Sequence, residues 1–101
     1  MYIVDSLYSS SKNDNKEIRY SYRMISESFL GGQAFGIEAE RQDLIEGNVV
    51  QIERDLIRKI SNKEDKVKTL LNLLHDYQVS PIHLVDILGE YVDNYVSDFC
   101  F

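Results

Sequence analysis

The chain has 101 residues, enough for one domain around one core, and its 44% apolar and 28% charged residues are ordinary for a folded protein. A net charge of −6 opposes long-range encounter with nucleic acid or an anionic membrane, and no run approaches the ~20 apolar residues of a spanning helix. One cysteine, Cys100, excludes an intramolecular disulfide scaffold and makes a reducing cytoplasm the expected compartment; Met1-Tyr2-Ile3-Val4-Asp5 lacks the basic start of a signal peptide.

Residues 1–60 read as strand-rich and 61–99 as helical, within a single α+β domain over 1–101. Met1 to Tyr8 predicts a first strand, with Tyr2, Val4 and Leu7 inward. Residues 9–16, a polar run of Ser, Asn, Asp and Lys, predict a mobile loop. Glu17 to Phe29 alternates, with Ile18, Tyr20, Tyr22 and Met24 on one face and Arg19, Ser21 and Arg23 on the other. Gly31-Gly32 breaks that strand, and Gln33 to Arg41 alternates again with Phe35, Ile37 and Ala39 inward. Glu46-Gly47-Asn48 supplies a turn before a fourth strand, Val49 to Ile60, with Val50, Ile52 and Leu56 on one face. A two-residue loop at Glu46-Gly47 puts Ile45 opposite Asn48, Arg41 opposite Ile52 and Ile37 opposite Leu56.

Ser61 followed by Glu64 predicts a capping box opening a helix whose stripe is Val67, Leu70, Leu71, Leu74 and Tyr77. Ser80-Pro81 predicts a capped second helix reaching Val96. Asp86, Glu90 and Asp93 make one acidic stripe along it, and apolar residues fill most of the remaining circumference. No Lys or Arg follows Lys68, yet Asp76, Asp86, Glu90, Asp93 and Asp98 all do. The expected fold is a four-stranded antiparallel meander followed by an antiparallel helix pair packed on one sheet face.

The residues offer chemistry only weakly. The register above places Glu40 opposite Glu53 and Glu38 opposite Asp55, an acid patch able to hold a hard cation unless Arg19 and Arg23 neutralise it. His75 and His83 flank one connector, but their spacing matches no zinc motif. Cys100, between Phe99 and Phe101, sits in an acidic setting that favours a hydrophobic anchor over a nucleophile. No catalytic constellation emerges, and no cofactor or metal is expected. Arg19, Arg23, Arg41, Arg54 and Arg58 are the candidate RNA contacts, against the repulsion that net charge imposes. Asp86, Glu90, Tyr91, Asp93, Tyr95 and Phe99 are the candidate protein contacts, with the aromatics as anchors.

Phe35-Gly36-Ile37-Glu38-Ala39-Glu40 with the following Gly turn, and Ser80-Pro81-Ile82-His83-Leu84-Val85-Asp86-Ile87-Leu88, together resemble a family of short uncharacterised proteins from Firmicutes, largely endospore-forming clostridia. The resemblance covers most of residues 17–95. It carries no catalytic residues, and it implies a cytoplasmic accessory role linked to sporulation. The expected function is a non-catalytic regulatory or adaptor protein working through a protein partner or as a homodimer, with no membrane contact. An RNA-associated factor is the alternative.

Overall fold

The computed structural model describes residues 1–99. Cys100 and Phe101 lie outside the described residues, and with them the expectation of a hydrophobic anchor at Cys100. Four strands, β1 (Tyr2–Asn13), β2 (Lys16–Phe29), β3 (Gly32–Ile45) and β4 (Asn48–Ser61), form one antiparallel sheet in the order β1-β2-β3-β4. Two helices follow, α1 (Glu64–Asp76) and α2 (Leu84–Tyr95), the second between 3-10 turns at Pro81–His83 and Val96–Phe99. This is the α+β architecture expected from the sequence.

The strands meet through two-residue loops. Leu30 and Gly31, and likewise Glu46 and Gly47, all have positive φ, the twist that matches a hairpin's own handedness. Residues 9–16 do not form the expected loop. Ser9 to Asn13 pair with β2 down to Lys16, and the chain reverses at Asp14-Asn15. Ladder hydrogen bonds to an adjacent strand outweigh the turn preference of isolated Ser and Asn.

The β3–β4 register begins as expected, with Ile45 opposite Asn48 and Leu44 opposite Val49, then slips by one. Asp43 faces Gln51, Arg41 faces Glu53, Glu40 faces Arg54 and Ile37 faces Ile57. The extra residue in β4 is a bulge, and it reverses the face of the β4 side chains from Gln51 to Ile57. Val50 and Ile52 are therefore exposed, and the β4 apolar contribution to the core comes from Ile57 and Ile60. A second slip lies between the Ile37–Ile57 and Phe35–Ser61 pairs. There β4 crosses directly over Gly36, where any Cβ would overlap the carbonyl oxygens of Ile57 and Arg58.

One sheet face is covered. Tyr20, Tyr22, Met24, Ile37 and Ala39 pack with Ile60 against Val67, Leu70, Leu71 and Leu74 of α1 and Leu84 and Leu88 of α2. Helix α1 lies over β1, β2 and β3, and α2 over β4. Leu7 packs at the border of this core, whereas Tyr2 and Val4 are exposed rather than inward. Tyr22 is fully buried, and its hydroxyl donates to the Val79 carbonyl at 2.9 Å, tying β2 to the connector between the helices. Burial pushes its phenol far above the ordinary value of 10. Tyr77 leaves the α1 stripe: the helix ends at Asp76, and Tyr77 is 78% exposed at its C-cap.

Neither helix start uses the expected side-chain cap. Ser61 still belongs to β4; its hydroxyl accepts from the Lys63 N–H at 3.0 Å and donates to Asp98, and Lys63 occupies the N-cap. At Ser80 the backbone carbonyl accepts from the His83 N–H at 2.9 Å, while the hydroxyl accepts from Arg41. Pro81 opens a 3-10 turn, and the α-helix proper begins at Leu84.

The crossing at Gly36 yields a direct expectation. Gly36→Ala should cost at least ~2 kcal/mol, because two backbone carbonyls must move to admit one methyl group. Denaturant unfolding measures it, and a loss below ~0.5 kcal/mol would mean that β4 gives way there.

Candidate protein-interaction face

The candidate residues of α2 separate by helical angle. Asp86, Glu90 and Asp93 are exposed, and none of them belongs to the core. Tyr91 and Tyr95, their ring centroids 6.3 Å apart, are partly buried against the protein's own core. The Lys66 ammonium sits 4.6 Å from the Tyr95 ring centroid. Phe99 meets Phe29 edge-on at 5.4 Å. The proposed aromatic anchors are thus engaged within the molecule, while the acids are not.

A different apolar set takes the outward positions. Ile82 is 66% exposed, Val85 56%, Ile87 41% and Val96 62%. The signal for them was present in the sequence, since α2 is apolar around more of its circumference than a single buried face requires. What periodicity alone could not supply was which apolar residues the sheet would take. Along the seam between α2 and β4, Val85, Gly89, Val92 and Asp93 with Ile57 line a groove of about 430 Å³. A second recess of about 280 Å³ continues from Val92 to Val96, Phe99, Phe29, Ile60 and Lys59.

Asp98 belongs to the fold rather than to the exposed acids. The Ser61 hydroxyl donates to it at 2.6 Å, Lys66 binds it at 2.9 Å, and Asn62 donates to its backbone carbonyl at 2.8 Å. The cation that offsets this acid at a C-terminal turn comes from α1. The Ser61 hydroxyl and then Lys66 hold its carboxyl below the ordinary 3.8. Asp5 is held below its usual range in the same way, by Lys68.

The five arginines are all paired, and they are split between the two faces. On the open face Arg23 meets Glu38 at 2.7 Å and Glu40 at 3.5 Å, and Arg54 meets Glu40 at 2.9 Å. Arg19 pairs with Glu17 and Arg58 with Glu27. Arg41 lies on the helix-covered face, bound to Asp43 at 2.8 Å, donating to Ser80 and lying 5.9 Å from the Tyr20 ring centroid. Tyr20 and Tyr22 stack on that same covered face, so no aromatic ring of theirs joins the exposed guanidinium groups.

The four-acid patch does not assemble. The β4 bulge sends Glu53 and Asp55 to the helix side, opposite Arg41 and Ala39, and leaves Glu38 and Glu40 on the open face with arginines. Among the described residues no three or more His, Asp or Glu side chains converge as metal ligands. His75 is used structurally: Nε2 is 2.9 Å from the Tyr8 carbonyl oxygen and Nδ1 3.3 Å from Asp76, while His83 is exposed. No helix among the described residues is long and apolar enough to cross a membrane.

The sequence model of a family of unknown function, DUF6514, matches residues 1–94, and the chain belongs to that family. Comparison with curated proteins and with solved structures finds no match.

The Asp98 cluster predicts a pH-dependent contribution to stability. Its carboxyl has a lowered value in the fold, so the stabilisation is complete above 3.8 and is lost as pH falls through the lowered value. Asp98→Asn should melt below wild type at pH 7, and the gap should close as pH falls below 3.8 and through the lowered value. A gap independent of pH, read from thermal melts across that range, would mean that charge plays no part.

Proposed function

We propose that this DUF6514 member is a non-catalytic cytoplasmic regulatory or adaptor protein, which acts by presenting the outer face of α2 to a protein partner. Its setting is a developmental programme of endospore-forming Firmicutes, such as sporulation. The observation that carries this is the composition of the exposed face: Ile82, Val85, Ile87 and Val96 lie beside Asp86, Glu90 and Asp93. Exposed aliphatic side chains clustered on one element mark contact surfaces, and a rim of one charge sign orients a complementary partner. The aromatic residues Tyr91, Tyr95 and Phe99 support that surface from beneath. The exposed arginines, each beside a carboxylate, offer less to an RNA phosphate than their number implies.

The test is affinity purification of the tagged protein from its native cells in stationary phase, with and without RNase, followed by mass spectrometry. A single dominant protein is expected to survive RNase. Neutralising Asp86, Glu90 and Asp93 together, as Asn, Gln and Asn, should reduce its recovery by about tenfold. Material that disappears with RNase, and is instead reduced by Arg19→Ala and Arg23→Ala, would move the function to the open sheet face.

A further inference from the structure

We propose that the groove between α2 and β4 receives an extended basic segment of the partner protein, which adds to β4 as a fifth strand. This rests on the protein-contact function given above and names the kind of segment that is bound. Four features of the molecule converge on it. First, β4 ends the sheet on one side, so among the described residues no strand lies beside its outer row of N–H and C=O groups. Second, α2 stands over that strand, and Ile57, Val85 and Val92 give the intervening groove an apolar lining. A helix beside a free edge strand is the geometry in which an added strand gains main-chain hydrogen bonds, with pockets for its alternate side chains.

The third feature is Gly89. Glycine inside a helix costs about 0.8–1 kcal/mol relative to alanine. Its φ is not positive, and a Cβ there would meet nothing within 4 Å. No packing inside the molecule calls for a glycine at this position. Its effect is to leave the wall of the groove open, in the middle of the stretch between Val85 and Val92.

The fourth feature is charge, and it selects the occupant. Asp93 lines the groove and Asp86 lies on the same outer side of α2, with no Lys or Arg anywhere in the helix. Lys59, in the adjoining recess, is 3.6 Å from Glu27 and lies over the Phe29 ring. A segment alternating apolar residues with Lys or Arg would seat the former on Ile57, Val85 and Val92 and bring the latter to Asp86 and Asp93. A second copy of this chain fits less well. Its α2 brings the same acids, its edge strand β1 has no cation before Lys12, and the cations of its own β4, Arg54, Arg58 and Lys59, are already held by Glu40 and Glu27.

The test is selection of random decapeptides displayed on phage against the full-length protein, followed by titration of the enriched peptides and backbone NMR. Enriched peptides should alternate apolar residues with Lys or Arg, lose affinity as salt rises, and shift amide resonances mainly in β4 and α2. Gly89→Leu fills the open space with a better helix former, so it should keep or raise the melting temperature while weakening those peptides at least ~tenfold. Asp93→Lys should weaken them as well, without relying on the first variant. Enrichment of acidic or helix-patterned peptides, no enrichment, or indifference to both variants would overturn the proposal. So would concentration-dependent dimerisation abolished by Gly89→Leu, which would assign the groove to a second copy. If the natural partner is still recovered from cells with both variants, the groove is excluded while the contact function of α2 stands. If no RNase-resistant partner is recovered with wild type, that function itself fails.

Discussion

The alignment of β4 on β3 governs nearly every feature of functional interest. One additional residue near Val50 turns β4 over, so that Ile57 reaches the core while Arg54 and Leu56 stay on the open face, and the second slip beyond Ile57 brings Ile60 inward as well. A one-residue slip is enough, because side chains on a strand alternate with a period of exactly two. The same slip separates Glu53 and Asp55 from Glu38 and Glu40, and gives Glu40 a guanidinium partner in Arg54. Gly36 then allows β4 to bend across β3 without steric conflict. Without the first of these irregularities Val50, Ile52 and Leu56, rather than Ile57, would face the helices.

The helices divide the remaining work. Helix α1 is a clamp: Lys68 reaches Asp5, His75 meets the Tyr8 carbonyl, and neighbouring Gln78 donates to Ser9 at 2.7 Å. These contacts bind the first strand, whose own apolar contribution is small. Helix α2 buries only Leu84 and Leu88 completely, and its flanks remain available. Stability is thus concentrated in the sheet and α1, while the element with the greatest unspent apolar surface lies over the edge strand. Such a division suits the contact role proposed for α2.

The fold was largely legible because its signals are local. Alternation of Tyr20, Tyr22 and Met24, the Gly-containing turns and the heptad-like spacing of Val67, Leu70, Leu71 and Leu74 each specify an element without reference to the rest. The two-residue loop at Glu46-Gly47 was legible for the same reason. The bulge four residues later was not, because a strand with Val49, Val50 and Ile52 in succession supports either facing, and only packing by helices distant in sequence decides between them. The candidate site inherited that ambiguity. Asp86, Glu90 and Asp93 were placed correctly on the outer face by angle alone, but Tyr91 and Tyr95 share the side of α2 that the sheet claims. Arg41 was grouped with the other arginines by type, although Tyr20 beside it in the ladder fixes it on the covered face.

The Asp98 cluster also bears on the order in which the chain completes itself. The hairpins close between residues near one another in sequence, so the sheet can begin to form as soon as each strand is made. The Ser61–Asp98 and Lys66–Asp98 contacts span 37 and 32 residues, and the acceptor is one of the last residues described. On the ribosome, β4 and the start of α1 must therefore emerge and wait before Asp98 arrives to fasten the helical layer over Phe29 and Ile60. During that interval the apolar side chains of the covered face, Ile60 among them, are open to any neighbouring chain. The paired sheet thus precedes the contacts that seat the helical layer on it, and Asp98 fastens a core whose strands are already in register.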